Sequence, residues 1–296
     1  MKVLVTGVNG QLGHDVMAEL RLRGHEAVGV DIEEMDITDA MAVEKTLQAV
    51  SPDAVVHCAA WTAVDAAEEV ENAETVRRVN ADGTANVAKV CQRLGCKMMY
   101  LSTDYVFDGR GSEAWQADSE AYAPLSVYGQ TKLEGELAVR ELLERYFIVR
   151  ISWVFGIHGN NFVKTMLRLA ETHDSLRVVS DQIGTPTYTR DLARLLVDMI
   201  ETEKYGIYHA TNEGGYISWA DFAREIFRVA GKQVEVVPVT TAEYGTSKAR
   251  RPLNSRLDKR KLLQNGFHPL PTWQDALRRY LKELEMENGT DQGNEI

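Results

Sequence analysis

Met1-Lys2-Val3-Leu4-Val5-Thr6-Gly7-Val8-Asn9-Gly10-Gln11-Leu12-Gly13 opens the chain, and the remaining segments can be read outward from it. Residues 2–6 read as a short buried strand, β-branched and bounded at once by glycine. From Leu12 the apolar spacing turns helical, with Leu12, Val16 and Leu20 on one face. A strand running through three glycines into a helix is a dinucleotide-binding turn. Gly7 permits the tight turn, Gly10 lets the backbone approach a pyrophosphate, and Gly13 lets helix and strand pack closely. The helix N-terminus offers free N–H groups and a partial positive charge to the phosphates. The spacing is Gly-x-x-Gly-x-x-Gly rather than Gly-x-Gly-x-x-Gly, and a purely structural glycine turn is the alternative reading.

Residues 26–31 form a second apolar strand ending in a carboxylate. Asp31, eighteen residues past Gly13, is placed to bind adenosine ribose hydroxyls; the plainer reading is a solvent charge at a strand end. Ile32-Glu33-Glu34 adds negative charge and no arginine, which favours NADH over a cofactor carrying a 2′-phosphate. At Asp36-Ile37 a backbone turn could flank the adenine. Residues 40–50 read as a helix and 53–58 as a third strand. Ala59-Ala60-Trp61-Thr62 then lies at a strand's carboxyl end, where open parallel sheets bind ligands. Residues 74–94 read as one helix, and 97–102 as a fourth strand leading into Ser102-Thr103-Asp104-Tyr105-Val106-Phe107. This alternation means an α/β fold: a Rossmann-type, doubly wound parallel sheet with right-handed crossovers.

Tyr128 and Lys132 lie on the next helix, which Ser126 is suited to cap. Four residues apart, they share one helix face. A tyrosine at its ordinary pKa of about 10 is a poor acid–base group at neutral pH, and a nearby ammonium favours its phenolate. That combination suits protonation of a developing alkoxide. The spacing is weak by itself, and a second copy stands at Tyr244-Gly245-Thr246-Ser247-Lys248. The second copy lies in a Gly/Thr/Ser stretch where a helix is doubtful, while the first follows a Ser/Thr pair at a strand end.

The 296 residues carry 44% hydrophobic and 26% charged side chains, the balance of a soluble globular protein with room for two subdomains. No signal peptide or bilayer-length apolar run is evident, so the expected compartment is the cytoplasm, with no membrane association. A net charge of −11 argues against nucleic acid as a partner. Cys58, Cys91 and Cys96 lack Cys-x-x-Cys spacing, and neither the histidines nor the acidic clusters show metal-ligand spacing, so no metal is expected.

The expected division is a dinucleotide-binding domain over 1–150, with 188–203 returning to it, and a smaller α/β substrate-binding domain over 151–187 and 204–285. Within the second, residues 161–172 and 218–230 read as helices, 176–179, 206–210 and 234–237 as strands, and 272–285 as a final helix. Residues 286–296 are polar, have no apolar face and read as a disordered tail. Arg250 and Arg251, before Pro252-Leu253-Asn254, put two guanidiniums in a loop, suited to a diphosphate or simply a solvated basic turn.

Gly7, Gly10 and Gly13, then Ser102-Thr103, then Tyr128 with Lys132 resemble the extended short-chain dehydrogenase/reductase family, and within it the dTDP-4-dehydrorhamnose reductases. The phrases that select this branch are Thr62-Ala63-Val64-Asp65, Ser102 to Phe107, Val127 to Leu133 and Arg150-Ile151-Ser152-Trp153-Val154. Asn160 to Met166, Asp181 to Thr187 and Arg251 to Leu257 extend the resemblance to about residue 280. The resemblance implies Tyr128 as proton donor, Lys132 as its electrostatic partner, and Thr103 as a hydroxyl acting on Tyr128 or the substrate carbonyl. It implies Gly10, Gln11, Leu12, Asp31, Asp36, Ile37, Ala60, Trp61, Thr62 and Leu101 around the dinucleotide, with Lys132 able to reach the nicotinamide ribose. Thr62, Val64, Thr103, Asp104, Trp153, Arg251 and Asn254 would contact a dTDP-sugar. NADPH, NADH or both would serve, whereas Asp31 alone argues for NADH. The implied reaction is reduction of a C4 ketone, giving dTDP-β-L-rhamnose for cell-surface polysaccharide. Reduction or epimerisation of another sugar nucleotide, or a non-catalytic regulatory subunit of the same fold, are the rival readings. Some relatives dimerise through a metal held by carboxylates; Arg190 stands at one such position, so a monomer or weak homodimer is expected. Ala66 replaces a lysine common in the family, so contacts from its loop are an open expectation.

Overall fold

The computed structural model describes residues 1–291. β1 (Lys2–Thr6), α1 (Gln11–Leu22), β2 (Glu26–Val30), α2 (Ala40–Val50) and β3 (Ala54–His57) begin the alternation. α3 (Val70–Arg77), α4 (Thr84–Leu94), β4 (Lys97–Thr103), α5 (Val127–Leu142) and β5 (Tyr146–Ile151) continue it. β1 pairs in parallel with both β2 and β3, β3 with β4, and β4 with β5. Side chains alternate across the sheet. Val3 and Val5 therefore join the core under α1, while Leu4 and Val55 join the one under α2 and α4.

Residues 74–94 are not one regular helix. The helix starts earlier, at Val70, and widens to π geometry over Arg78–Gly83. The wide turn brings in Asn80, whose side chain accepts the Trp61 N–H at 2.8 Å and donates to the Trp61 carbonyl at 3.2 Å. A π turn that serves a ligand-side loop is a common reason for the irregularity.

The second half adds β6 (Val154–Phe155), α6 (Phe162–Leu169), β7 (Ser175–Val179), β8 (Ile183–Gly184), β9 (Thr187–Tyr188) and α7 (Thr189–Ile200). α7 lays Leu192, Leu195 and Leu196 into the core beneath α1, as its amphipathic pattern predicts. The next strand, β10 (Gly206–His209), departs from expectation. Expected in the smaller lobe, it pairs in parallel with β5 and forms the edge of the six-stranded sheet, in the order β10-β5-β4-β3-β1-β2. A short apolar strand cannot announce its partner; the hydrogen-bonding edge left open by β5 decides it.

β11 (Asn212–Glu213), β12 (Ile217–Ser218), α8 (Trp219–Val229), β13 (Glu235–Val239), α9 (Thr241–Tyr244), α10 (Arg260–Gln264), β14 (Leu270–Thr272) and α11 (Trp273–Asp291) complete the chain. Phe155, Phe222, Ile226, Leu277 and Tyr280 belong to a separate core of the smaller lobe. Two-residue ladders tie it together, β6 to β9 and β8 to β12. α11 runs on to Asp291, past the point where the apolar pattern ends, because an established helix adds one backbone bond per residue. Of the expected disordered tail, 286–291 are therefore helical and 292–296 lie outside the described residues. No helix among the described residues is long and apolar enough to cross a membrane.

Candidate active site

The carboxyl ends of β1, β3, β4 and β5 open into one cleft of about 940 Å³ that also reaches the smaller lobe. Gly7 turns the chain at φ +69°, a region that favours glycine, and a Cβ there would lie 2.7 Å from the Ala59 nitrogen. A Cβ on Gly13 would overlap the Gly7 carbonyl, so α1 and β1 touch only because that position is bare. Gly10 caps α1 without any side-chain hydrogen bond, so the first N–H groups of the helix remain available for an anion. Asp31 lines the cleft beyond β2 and accepts from the Asn9 N–H and the Ile32 N–H, both at 2.9 Å. Bare glycines, a free helix N-terminus and a fixed carboxylate on the wall of one cleft fit a dinucleotide.

α5 carries the reactive pair. Ser126 caps it as expected, accepting the Gly129 N–H at 3.1 Å. A Cβ on Gly129 would overlap the Tyr105 carbonyl, and one on Gly135 the Tyr100 hydroxyl, so two glycines let the helix press against the end of β4. Tyr128 and Lys132 consequently border the same cleft as Thr103. Lys132 is buried and donates to the Leu101 carbonyl at 2.7 Å, with its nitrogen 4.2 Å from the Tyr100 ring centroid.

The electrostatics differ from the expectation for this pair. Burial lowers Lys132 to about 7, against the pull of Glu136 and Cys58. Loss of hydration pushes the Tyr128 hydroxyl up to about 12; hydrogen bonding with Thr103 opposes this, and the Asp104 charge adds to it. The Lys132 ammonium is anchored by its hydrogen bond to the Leu101 carbonyl. Tyr128 is thus held as a neutral phenol, a state able to give a proton. Asp104 is buried and raised to about 7 by loss of hydration, against hydrogen bonds from Ser255 and Thr103. Its Oδ2 and the Ser102 Oγ have no hydrogen-bond partner, although both residues line the cleft. Buried polar atoms left open at a cleft wall suit a ligand's hydroxyls.

The cleft brings together Gly7, Gly10, Gln11, Leu12, Gly13, Asp31, Asp36, Ile37, Ala60 and Leu101 on the sheet side. Thr62, Val64, Asp104, Trp153 and Arg251 complete its other walls. Two expected residues are not on the wall. Trp61 turns its indole N–H to the Ala63 carbonyl at 3.1 Å. Asn254 is buried and donates to the carbonyls of Arg110 and Glu113, tying loops together rather than facing a ligand. Arg251 is on the wall, but its guanidinium holds both Asp65 oxygens, at 2.6 and 3.1 Å. The Ala249 N–H and this guanidinium outweigh desolvation and hold Asp65 below its ordinary value. Asn160, Asn161 and Phe162, from one of the phrases that carry the resemblance, also line the cleft, as does Trp219, which no sequence pattern marks. Trp219 sits on the same face as Phe222, Ala223 and Ile226, so its spacing looks like core.

The chain matches a family model, the RmlD substrate binding domain, over residues 1–286. The chain belongs to this family. Among curated relatives, the dTDP-4-dehydrorhamnose reductase of Aggregatibacter actinomycetemcomitans is 43% identical over 292 residues, 94% of this chain and 97% of that protein. The spore coat polysaccharide biosynthesis protein SpsK of Bacillus subtilis is 40% identical, covering 95% of this chain and 97% of its own. Among solved structures, a Bacillus anthracis dTDP-4-dehydrorhamnose reductase in complex with NADP superposes with a TM-score of 0.91 at 42% identity. It covers 96% of this chain and 100% of that one. As a member of the family, the chain shares its Rossmann-type sheet with these reductases. Among the described residues no group of three or more His, Cys, Asp or Glu could hold a metal. Arg190 donates to Glu283 at 2.6 Å.

Proposed function

We propose that this chain reduces the C4 ketone of dTDP-4-dehydro-β-L-rhamnose to dTDP-β-L-rhamnose, taking the hydride from NADPH or NADH. The observation that carries the reading is one cleft in which the glycine turn leads directly to Tyr128, Thr103 and Asp104. The bound dinucleotide supplies the hydride that adds to C4. Gly7, Gly10 and the α1 N-terminus hold its pyrophosphate, and Asp31 its ribose. Lys132, anchored on the Leu101 carbonyl, faces the cleft beside Tyr128. Tyr128 gives its proton to the ketone oxygen as that oxygen becomes an alkoxide, so the carbonyl gains one hydride and one proton. Thr103, whose hydroxyl donates to the Asp104 Oδ1 at 3.1 Å, lines the cleft with Tyr128 and would turn that hydroxyl to the phenolate left behind. The Asp104 Oδ2 and Ser102 Oγ accept or donate to sugar hydroxyls, and Arg251 meets the diphosphate by sharing its bond to Asp65.

Dual cofactor use is supported from two sides. Asp31 pairs naturally with ribose hydroxyls, while the Bacillus anthracis relative is complexed with NADP. The division into a dinucleotide domain and a substrate domain, a cytoplasmic location, and a monomer or weak homodimer belong to the same proposal. Arg190, bound to Glu283 within the chain, supports the absence of a carboxylate–metal dimer contact.

The test is absorbance of the nicotinamide band with purified protein and enzymatically generated dTDP-4-dehydrorhamnose, NADPH and NADH being supplied separately. Oxidation with either supports the reductase, and the ratio of rates reports what Asp31 selects. Folded protein that binds cofactor but oxidises neither would overturn it.

A further inference from the structure

Trp153 and Trp219 are stacked, with ring centroids 3.7 Å apart and planes 13° from parallel, and both border the cleft. Trp153 lies immediately beyond β5 at φ +52°, a left-handed conformation unusual for a bulky side chain. Such a pose persists only where its surroundings over-determine it. Here the backbone is fixed by the Thr187 N–H donating to the Trp153 carbonyl at 3.1 Å and by the Thr187 hydroxyl donating to the Ser152 carbonyl at 2.6 Å. The indole is fixed by two more elements. Gly184 lies under its edge: a Cβ there would come within 2.9 Å of Cε2 and 3.0 Å of Nε1. Trp219 covers its face and is itself seated against Phe162, 4.6 Å between centroids. The β8–β12 ladder, pairing Gly184 with Ile217 and Ile183 with Ser218, brings the edge support and the start of α8 together.

The cleft wall that carries Tyr128, Thr103 and Asp104 is polar, whereas the two half-buried indoles offer an apolar aromatic surface. A hexose has both kinds of surface: hydroxyls around its rim and C–H faces above and below, enlarged in a 6-deoxy sugar by the C6 methyl. Rigid aromatic surfaces with few polar groups fix the orientation of such a ligand. We propose that Trp219 is a positioning residue: it holds Trp153 so that the paired indoles form the platform on which the 6-deoxyhexose rests, with C4 turned to Tyr128. This rests on the proposed function, which supplies the sugar and the reacting carbon.

The experiment compares binding of dTDP and of dTDP-β-L-rhamnose to wild type, Trp219→Ala, Trp219→Phe and Gly184→Ala, with NADPH held saturating. KM and kcat are measured in parallel. Trp219→Ala is expected to weaken dTDP-rhamnose binding about tenfold, raise KM similarly and lower kcat about tenfold through misplacement of C4, with dTDP binding within twofold of wild type. Trp219→Phe, which keeps a ring against Trp153, should recover most of the affinity. Gly184→Ala leaves both indoles present but displaces Trp153, and should give the same sugar-selective loss; it decides the matter if Trp219→Ala does not fold. Parallel loss of dTDP and dTDP-rhamnose binding, or unchanged sugar binding in folded variants, would overturn the platform. Wild type that binds dTDP-rhamnose yet never oxidises cofactor would sink the reduction instead, and the binding comparison would still judge Trp219.

Discussion

Tyr128-Gly129-x-x-Lys132 and Tyr244-Gly245-x-x-Lys248 share spacing and even the glycine after the tyrosine, but the fold treats them oppositely. The first lies in the opening turn of a sixteen-residue helix, capped by Ser126 and pressed against β4. The second begins where a four-residue helix ends, and Gly245 turns left-handed at φ +66°. Helical continuity places Lys132 one turn from Tyr128 and buries it, whereas Lys248 swings away to pair with Glu69 on the surface. Even the two glycines serve different needs. Gly129 is required for space beside the Tyr105 carbonyl, Gly245 for its dihedral angle. A spacing motif has chemical meaning only once a helix keeps its two ends on one face and a sheet end receives them.

The largest break between the copies should come from the tyrosines. Tyr128→Phe is expected to cut turnover by about 10²–10⁴-fold while sparing cofactor binding, and Tyr244→Phe to leave turnover within about twofold. Steady-state rates with a fluorescence titration of NADPH check both. Equal effects would dissolve the distinction.

The lysines should separate next, through the pH dependence of stability. Lys132 is lowered to about 7 from 10.5, so below pH 7 the folded state must carry an unfavourable buried charge. Between about pH 7 and 10.5 the unfolded chain binds more protons at this site, and stability rises with pH. Relative to Lys132→Met, wild type should gain on the order of a few kcal/mol across that window. Denaturant unfolding at several pH values reads the difference, and a flat difference would refute a desolvated lysine.

For the glycines, Gly129→Ala forces α5 away from Tyr105 and should cost about 1–3 kcal/mol together with activity. Gly245→Ala should cost about 1–2 kcal/mol for its left-handed angle and leave kcat unchanged. Thermal melts combined with kcat distinguish the two. The smallest effect belongs to Lys248→Met, which removes a surface ion pair worth about 0–1 kcal/mol. A larger loss would mean that the loop over 245–251 is held down by that pair.

Legibility followed the same division. The glycine turn, the carboxylate after β2 and the Ser126 cap could be read because each depends on neighbours within a few residues. Asn254 could not: as an amide beside two arginines it looks like a ligand contact, and only the distant carbonyls of Arg110 and Glu113 show that it ties loops. Trp61 sits in the right loop, but the Asn80 side chain from the π turn holds its backbone while the indole turns to Ala63. The place of β10 is not legible because Gly206-Ile207-Tyr208-His209 does not specify which open edge it will join.

The sequence by itself determined the alternating strands and helices, the bare glycine turn and the tyrosine–lysine face, since these rest on local backbone preference and helical or strand period. Only the tertiary structure decided which side chains meet across the cleft. It bonded Lys132 to the Leu101 carbonyl, paired Arg251 with Asp65, and stacked Trp153 on Trp219. Those outcomes depend on contacts between residues tens to hundreds of positions apart, and on the loss of water that close packing imposes, neither of which a local pattern encodes.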